Sequence, residues 1–555
     1  MTSSPFAFCR LVLVVAPAVA LLGLLAPGAA RSSSPVPALV PDSSSRAGDG
    51  GEHTLAAVKL ASFAKPAIYG TGGEYATSVA MGDLNGDGKA DFAVANFCSI
   101  VNKDEGACDT GGGVSILIGN GDGTMQTAVA YSSGGTAAAA VAIADVNGDG
   151  RADVVVVNEC ISATDCTSGD VGVLFGNGDG TFQAPVMYTA GYGADAVAIA
   201  DLNGDGNPDL VIADECVSSS SCNNGGVSIL LNKGNGTFDA AETSSSGGNN
   251  AVGIAVDDLN NDGFADVVVV NQCVSKSNCN TGGVSVLLGN GNGTLKSPVN
   301  YSSGGYSALA VAVADLNGDG RPDIVATNLC SSAANCVDGV AAVLMGNGNG
   351  TFEAAVSYST NGYGASSVAI GDVNGDGFPD LAIDNICKTS SSCAKGGIAV
   401  LPGAGDGTFL EPLLYSSDGN DASSVGMVDL NGDSKLDIVT ANSCASKSDC
   451  DGVVAVLLND SSLKTTTTVR SGANPSTVGQ AVQFTATVSS AAEVPDGESV
   501  TFYDGSVALG TSATTDGMAS LTTSFDKTGT FTIKASYAGD AYHKASSGKV
   551  KQVVN

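Results

Sequence analysis

A nine-residue pattern of oxygen-bearing side chains, Asp-x-Asn-x-Asp-x-x-x-Asp, occurs seven times in this sequence and could bind cations. Calcium prefers about six to eight oxygen ligands from carboxylates, amides and backbone carbonyls. We therefore predict up to seven structural Ca²⁺ sites that use positions 1, 3, 5 and 9 and the backbone carbonyl of position 7. The predicted side-chain ligands are Asp83, Asn85, Asp87, Asp91, Asp145, Asn147, Asp149, Asp153, Asp201, Asn203, Asp205, Asp209, Asp258, Asn260, Asp262, Asp266, Asp315, Asn317, Asp319, Asp323, Asp372, Asn374, Asp376, Asp380, Asp429, Asn431, Asp433 and Asp437.

The remaining loop positions are consistent with this chemistry. Position 6 is glycine, which permits a sharp turn, except for Ser434 in the last loop, where we expect a weaker site. An EF-hand would need Glu at position 12 and flanking helices, whereas position 12 here falls in a predicted strand. The alternative is seven Asx-type turns without metal, in which three carboxylates per loop would repel one another. Position 7 varies freely, as a backbone ligand allows, and is Lys89, Arg151, Asn207, Phe264, Arg321, Phe378 or Lys435.

Cysteines follow each acidic loop at a fixed distance. The second cysteine of each pair comes six residues after the first in six units and ten residues after it in the first unit. Cys9 lies in the predicted signal segment described below, and its removal leaves fourteen of the fifteen cysteines. An even number of cysteines in an exported chain indicates disulfides, and we predict pairing within each unit. Zinc is the alternative, but the chain has only two histidines, and neither is near. The predicted pairs are Cys98–Cys108, Cys160–Cys166, Cys216–Cys222, Cys273–Cys279, Cys330–Cys336, Cys387–Cys393 and Cys444–Cys450.

The N-terminus predicts export. Residues 1–30 have one charge, Arg10, then an apolar run and a small-residue cleavage site at Gly28-Ala29-Ala30, which is typical of a signal peptide. An uncleaved anchor is the alternative. Residues 31–55 are predicted to be a flexible linker, and no later stretch is apolar enough for a transmembrane span. We therefore expect a secreted, extracellular or cell-surface bacterial protein that is monomeric.

The charge balance limits the partners. The chain has 56 acidic and 23 basic residues and a formal net charge of −33. Such a surface repels phosphate backbones, so a nucleic acid partner is not expected. Hydrophobic residues make up 43% of the chain and occur in short ordered runs, which argues against disorder. Cation binding is the simpler reason for so many carboxylates.

The acidic pattern recurs with a period that predicts the architecture. Its starting positions are separated first by 62 and 56 residues and then by 57 in every later unit. A period of this length, with four short strands per unit, predicts an all-β fold, a seven-bladed β-propeller over residues 56–460. In the third unit the strands are expected at 196–200, 210–213 and 226–231 and from Phe238.

The two ends of the predicted propeller complement each other. The seventh unit stops after residues 453–458 and lacks a fourth strand. Phe63 and Tyr69 repeat the spacing of six residues seen at Phe182 and Tyr188. The N-terminal segment is therefore predicted to complete the last blade, which removes exposed sheet edges.

From Phe63 to Leu458 the chain resembles the FG-GAP/VCBS repeat family, whose best-known members are the propellers of integrin α subunits. The specific part of the resemblance is the acidic loop between two β-runs, and it implies a propeller with calcium at the loop positions. The sequence segment from which the family takes its name is poorly matched in this chain. Its closest match is Leu174-Phe175-Gly176 followed by Ala184-Pro185. Integrin ligands are therefore not carried over.

Residues 463–555 lack the repeat, the cysteines and the acidic loops. Their short Thr- and Val-rich runs predict about seven strands in a β-sandwich. The segment resembles bacterial immunoglobulin-like repeats at Thr-Val-Gly-Gln (477–480), Val-Thr-Phe-Tyr-Asp-Gly (500–505) and Tyr-Ala-Gly-Asp (537–540). The resemblance implies a spacer or adhesion module.

One face of the predicted propeller is a candidate ligand face. The cysteine loops share it with the loops that enter each first strand, opposite the acidic loops. The alternative is that its tyrosines fill space between blades. The candidate residues are Tyr75, Tyr192, Tyr306, Tyr363, Lys103, Asp104 and Glu105.

The function predicted from these features is non-catalytic. No histidine lies in the propeller, no Ser-His or Cys-His pair can form, and no catalytic residue is assigned. We expect an exported calcium-binding protein that binds or adheres to an extracellular glycan or protein. The alternatives are a polysaccharide lyase or dehydratase, or a lectin, on the same scaffold. The absence of Trp removes the best sugar-stacking side chain.

Overall fold

The computed structural model describes residues 61–99, 111–219, 222–334, 336–389, 393–460, 465–490, 494, 497–540 and 543–555. All regular structure in these ranges is β, in thirty-four strands, and the predicted all-β class is confirmed. None of these residues forms a helix that could cross a membrane. The predicted signal segment and linker, together with Lys103, Asp104, Glu105 and Cys108, lie outside the described residues.

The strands before residue 460 occur in repeated groups, which we call units 1 to 7. The strands of units 1 to 3 are β1 (Ala67–Gly82), β2 (Asp91–Ser99), β3 (Gly113–Leu117), β4 (Val129–Ser132), β5 (Thr136–Ala144), β6 (Asp153–Cys160), β7 (Asp170–Leu174), β8 (Val186–Thr189), β9 (Tyr192–Ala200), β10 (Asp209–Cys216), β11 (Gly226–Leu230) and β12 (Glu242–Ser245). The strands of units 4 to 7 are β13 (Asn249–Asp257), β14 (Asp266–Cys273), β15 (Gly283–Leu287), β16 (Val299–Ser302), β17 (Tyr306–Ala314), β18 (Asp323–Cys330), β19 (Val340–Leu344), β20 (Val356–Ser359), β21 (Tyr363–Gly371), β22 (Asp380–Cys387), β23 (Gly397–Leu401), β24 (Leu413–Ser416), β25 (Asn420–Val428), β26 (Asp437–Cys444) and β27 (Asp451–Leu457).

Units 2 to 6 are four-stranded antiparallel sheets in chain order. The second and third strands are short β-branched or apolar runs that are buried on both faces, as in β6 and β7. The fourth strand is short and more exposed, as in β8. In unit 3 the fourth strand begins at Glu242, four residues later than expected, because Phe238 instead forms an isolated bridge with Asn232 that closes the glycine-rich turn.

Strand β1 belongs to two units. Its C-terminal part pairs with β2, while Ala67–Gly70 pairs antiparallel with Val453–Val456 of β27. Units 7 and 1 therefore form one seven-stranded sheet. Phe63 bridges Asn459, and its ring packs edge-on against Tyr415 of unit 6 at 5.1 Å between centroids. The N-terminal segment thus supplies the fourth strand of unit 7.

Successive units pack against one another through their sheet faces. The first strands contact in the order β1, β5, β9, β13, β17, β21 and β25, and β25 also contacts β1. In the part of the chain that the structure describes, one buried apolar cluster lies between each successive pair of units, and another lies between units 7 and 1. Edge-on aromatic pairs span several of these junctions, such as Tyr188 of unit 2 with Phe238 of unit 3. The contacts between units therefore run in cyclic order.

Residues 465–555 form two further sheets. Their orders are β28-β29-β32 and β31-β30-β33-β34. Alternating burial in β29 is typical of a strand with one face against a core, which includes the fully buried Phe484, Phe502 and Tyr537. The seven strands are β28 (Thr466–Ser471), β29 (Val482–Ser489), β30 (Ser499–Asp504), β31 (Val507–Ala513), β32 (Met518–Thr523), β33 (Gly529–Tyr537) and β34 (Ser546–Val554).

A buried hydrogen bond to a polar side chain of the second strand recurs in most units. Six units carry an asparagine whose side-chain oxygen accepts a hydrogen bond from a Ser or Thr hydroxyl. Unit 3 instead has Asp214, with Ala190 where the hydroxyl would be. Ser228 Oγ donates to Asp214 Oδ2 at 2.6 Å, but buried Oδ1 has no partner. The six asparagines are Asn96, Asn158, Asn271, Asn328, Asn385 and Asn442.

Replacing Asp214 should therefore stabilise the protein at neutral pH. Burial raises the pKa of Asp214 from 3.8 to about 7. The folded state then holds this proton more tightly than the unfolded chain, so stability falls as the pH rises from about 4 towards 7. We expect Asp214→Asn to remove this loss and to raise the melting temperature more at pH 8 than at pH 5. In the matched control Asn328→Asp, stability should fall, and more at pH 8. Equal effects at both pH values would contradict the account.

Candidate metal centres

Each acidic loop lies between the first and second strands of its unit. In unit 5 the loop follows Ala314, the last residue of β17, and its ninth position, Asp323, is the first residue of β18. The same placement recurs in all seven units, because each ninth aspartate begins a second strand. The seven loops therefore occupy the same position in every unit, between the first and second strands. We call the set of seven loops, together with the turns that contact them, the acidic edge.

The first aspartate organises each loop by accepting backbone hydrogen bonds. In unit 5, Asp315 Oδ1 accepts the N–H groups of Gly318 and Asp319 at 2.8 and 3.2 Å, and Oδ2 accepts that of Gly320 at 2.7 Å. The bonds from positions 5 and 6 recur in every loop. This is the Asx-type geometry of the metal-free alternative, and these bonds stabilise the loop whether or not an ion is bound.

Positions 3 and 5 contribute further oxygens on the exposed side of the loop. Asn317 Oδ1 accepts the N–H of Asp319 at 2.9 Å, and Asp319 Oδ1 accepts that of Arg321 at 2.9 Å. The side chain of Asp319 remains 36% exposed. These oxygens keep free lone pairs, because each accepts one bond of the two or more that it can accept.

The ninth aspartate is different, because its side chain is fully buried in every unit. Asp323 Oδ2 accepts the N–H of Leu316 at 3.0 Å, and Oδ1 accepts the N–H of Gly346 in the turn after β19 at 2.7 Å. Both bonds recur in all seven units. The ninth carboxylate thus ties the acidic loop to the glycine-rich turn of the same unit.

The ninth aspartates also have raised pKa values. Burial raises the pKa of Asp323, its two amide bonds lower it, and the carboxylates of Asp319 and Asp315 raise it further. The pKa rises to about 7 at Asp380 and to about 6 at Asp153 and Asp437 for the same reasons. The carboxylates of positions 1 and 5 thus add to the effect of burial in raising the pKa of the ninth aspartate.

The three aspartates of a loop do not close into a tight cluster. Among the described residues, only Cys387, Cys393 and Asp421 bring three acidic, cysteine or histidine ligand atoms within 4.8 Å of one another, and both cysteines form a disulfide. Opposite ligands of a calcium ion lie about 5 Å apart, so the wider spacing in the acidic loops is compatible with that ion. The all-oxygen donor set also suits Ca²⁺ and not zinc.

The loops differ in whether the side chain at position 7 carries a positive charge. Lys89 and Lys435 lie 3.5 Å from the position 5 carboxylate of their own loops, and Arg321 lies 3.7 Å from it. Position 7 is instead Phe264 in unit 4 and Phe378 in unit 6. The side chain at this position therefore gives these two loops no positive charge against their three carboxylates.

Two loops depart from the glycine pattern but keep the bonds from the position 5 and position 6 amides to the first aspartate. Ser434 takes the positive φ of the usual position 6 glycine, at 64°, and its N–H still bonds Asp429 Oδ2 at 2.8 Å. Asn261 replaces the position 4 glycine of unit 4 with a φ of 58°, a substitution that our sequence analysis did not single out. The expected weakness of the seventh site stays a prediction.

Loops of neighbouring units are linked along the acidic edge. The N–H of Gly350, in the turn of unit 5, donates to the carbonyl of Leu259, in the loop of unit 4. Gly293 bonds Leu202 in the same way, and Gly123 of unit 1 bonds Leu430 of unit 7. At these three junctions the turn of one unit therefore holds the loop of the preceding unit.

Three protein-family models match parts of this chain. Residues 104–156, 158–212, 214–269, 273–326 and 332–383 match the FG-GAP-like repeat, residues 75–103 match the FG-GAP repeat, and residues 467–555 match the bacterial Ig-like domain (group 3). The chain is an FG-GAP repeat protein with a C-terminal bacterial Ig-like domain. No curated protein matches.

Three solved structures are similar to this FG-GAP repeat protein. The V. cholerae biofilm matrix protein Bap1 has 14% identity and a TM-score of 0.32, over 87% of this chain and 82% of that one. The extracellular domain of BT4673 from B. thetaiotaomicron, described as a putative one component or hybrid two component system, matches twice at 9% identity. The TM-scores are 0.38 and 0.40, and the matches cover 90% and 89% of this chain but only 58% and 59% of those chains. These TM-scores are too low to assign a role.

The predicted disulfides are present in the FG-GAP repeats. Six pairs form within their units as expected, in units 2 to 7. Cys98 is also disulfide-bonded, and its predicted partner lies outside the described residues. Each described bridge closes the connection between a second and a third strand.

The tyrosines of the candidate ligand face differ in burial and in position, and the ligand face itself stays a prediction. Tyr192, Tyr306 and Tyr363 each pair in register with the first cysteine of their unit, but Tyr192 is buried. Tyr75 lies one residue later in the pattern, since Glu74 pairs with Cys98. Tyr75 has a φ of 55° because every first strand has a left-handed residue at this bulge.

Mutation can distinguish the role of the position 5 aspartate from that of the position 9 aspartate. Asp323→Asn puts an NH₂ group against a backbone N–H, so we expect a loss of about 1–3 kcal/mol in unfolding free energy with or without calcium. Asp319→Asn leaves the loop bonds of Asp315 intact and should destabilise only when calcium is present. Chemical denaturation in calcium and in EDTA measures both effects. A loss for Asp319→Asn that is equal in the two buffers would exclude position 5 as a metal ligand.

Proposed function

We propose that the FG-GAP repeats form a closed, seven-bladed β-propeller that binds calcium structurally, and that the protein acts outside the bacterial cell in non-catalytic binding or adhesion. The observation that carries this proposal is the acidic loop, repeated in seven units with three carboxylates each. The propeller supplies a rigid ring of similar blades, and the Ig-like domain adds a module that suits a spacer or adhesion role.

Ring closure is supported by the contacts between units 7 and 1. Strand β1 joins their sheets, and an apolar cluster that includes Val79 and Val439 lies between them. The hydroxyl of Tyr415 donates to the carbonyl of Ala61 at 2.7 Å, which holds the segment before β1 against unit 6. In a closed ring each unit packs against a neighbour on both sides, so no unit has an uncovered apolar sheet face. This favours a propeller over an open array.

Calcium is supported by the charge and chemistry of the acidic edge. Backbone amides satisfy much of the first and ninth carboxylates, but burial and, after it, repulsion from the carboxylates of positions 1 and 5 still raise the pKa values of the ninth aspartates. A divalent cation would bind the oxygens of positions 1, 3, 5 and 9, together with the carbonyl of position 7. It would supply charge compensation where Phe264 and Phe378 supply none.

An extracellular, non-catalytic role is supported by the cysteines and by the distribution of histidine. Intrachain disulfides are typical of oxidising compartments, and six are present among the described residues. The described residues contain one histidine, His543, which is buried in the Ig-like domain with Asp540 2.8 Å from its Nδ1. The described repeats therefore hold no imidazole for acid–base chemistry.

The proposal predicts that calcium stabilises the repeats. At about 1 mM calcium, sites with dissociation constants of about 10⁻⁴–10⁻³ M would each add roughly 0.4–1.4 kcal/mol. We therefore expect EDTA to lower the melting temperature of the purified chain by about 5–15 °C. Calcium should restore it more effectively than magnesium, which prefers octahedral sites with retained water. Identical melts in calcium and EDTA would leave metal-free Asx turns as the explanation.

A further inference from the structure

In units 1 to 6, the side chain at position 7 of the acidic loop lies over the glycine-rich turn of its own unit. A Cβ on Gly291 would lie 2.4 Å from two ring atoms of Phe264, and a Cβ on Gly405 would lie 2.5 Å from two ring atoms of Phe378. In unit 5 a Cβ on Gly348 would lie 3.0 Å from Cδ of Arg321. The turn therefore covers one side of each of these side chains and leaves the other side to solvent.

Phe264 and Phe378 are exposed although the fold does not need an aromatic residue there. They are 43% and 44% exposed, and every other phenylalanine in the described residues is buried or half-buried. The other five units have Lys, Arg or Asn at position 7, and the amides of positions 5 and 6 bond the first aspartate there as they do in units 4 and 6. Burial in a core thus does not account for the two rings, and each presents a free aromatic surface at the acidic edge.

The two rings belong to a continuous stretch of the acidic edge. The turn of unit 5 bonds the loop of unit 4 through Gly350 and Leu259. The turn of unit 6 reaches the loop of unit 5, where a Cβ on Gly407 would lie 3.6 Å from Cβ of Asn317. Arg321, whose side chain is 51% exposed, therefore stands on the unit between the two phenylalanines.

We propose that Phe264, Arg321 and Phe378 form a binding surface for a neutral polysaccharide. An exposed phenyl ring backed by glycine can stack on the apolar face of a sugar, and the intervening arginine and loop oxygens can bond its hydroxyls. With calcium bound, the three carboxylates of each phenylalanine-bearing loop still leave a charge of −1 (−3 + 2), which disfavours an anionic polymer. Two separate rings form too small an apolar area for a stable protein interface. The inference deepens the proposed function, on which it rests for calcium-bound loops.

The test replaces each ring with the residue that unit 3 uses at the same position. Phe264→Asn, Phe378→Asn and the double variant copy Asn207 and should fold normally. Binding of the full chain to dextran, laminarin, xylan and galactomannan is measured by affinity electrophoresis in millimolar calcium, with alginate as an anionic comparison. We expect one neutral polymer to bind, each single variant to weaken binding about tenfold, and the double variant to lose about a hundredfold. Asn207→Lys is the matched control and should bind as the natural chain does.

Three results would overturn the inference: no neutral polymer bound by the folded chain, a double variant that binds as tightly as the natural chain, or a preference for alginate. The same samples are melted in calcium and in EDTA, so the two proposals can fail separately. Loss of polymer binding with an unchanged calcium-dependent melt supports the surface. A melt that ignores calcium contradicts the proposed metal sites, whatever the polymer result.

Discussion

A buried carboxylate with two backbone partners holds each repeat together. The ninth aspartate of every acidic loop accepts one amide from its own loop and one from the turn after the third strand, as Asp323 does with Leu316 and Gly346. Because this group is removed from water, losing either bond would leave a buried charge without compensation. The shape of the acidic edge, and with it the placement of every other loop oxygen, depends on this arrangement.

Contacts between units extend that local constraint around the molecule. Turns bond the loops of preceding units, as Gly350 does with Leu259, and apolar clusters fill the junctions. The N-terminal strand β1 joins the last unit to the first, so one sheet contains residues separated by nearly the whole repeat region. Such pairing is entropically costly to form, and the cooperative packing of all units offsets that cost.

Much of this arrangement could be predicted from the sequence because it repeats. The period located the acidic loops and the cysteine pairs, and the missing last strand predicted the pairing of the N-terminal segment with β27. The burial of individual loop side chains could not be predicted from the repeat period. Nothing in the pattern distinguishes the ninth aspartate, bonded to two amides, from the exposed fifth, and Tyr75 gave no sign that it occupies a left-handed bulge. The exposed rings of Phe264 and Phe378 were recognisable only once position 7 was placed over a glycine turn.

We propose that calcium balances the carboxylates that the buried ninth aspartates hold in place. Native mass spectrometry of the purified chain, after exchange into a volatile buffer with calcium, tests it most directly. We predict a charge-state series whose mass exceeds that of the EDTA-treated chain by seven calcium ions. A chain that keeps the same mass in both conditions while remaining folded would contradict the account.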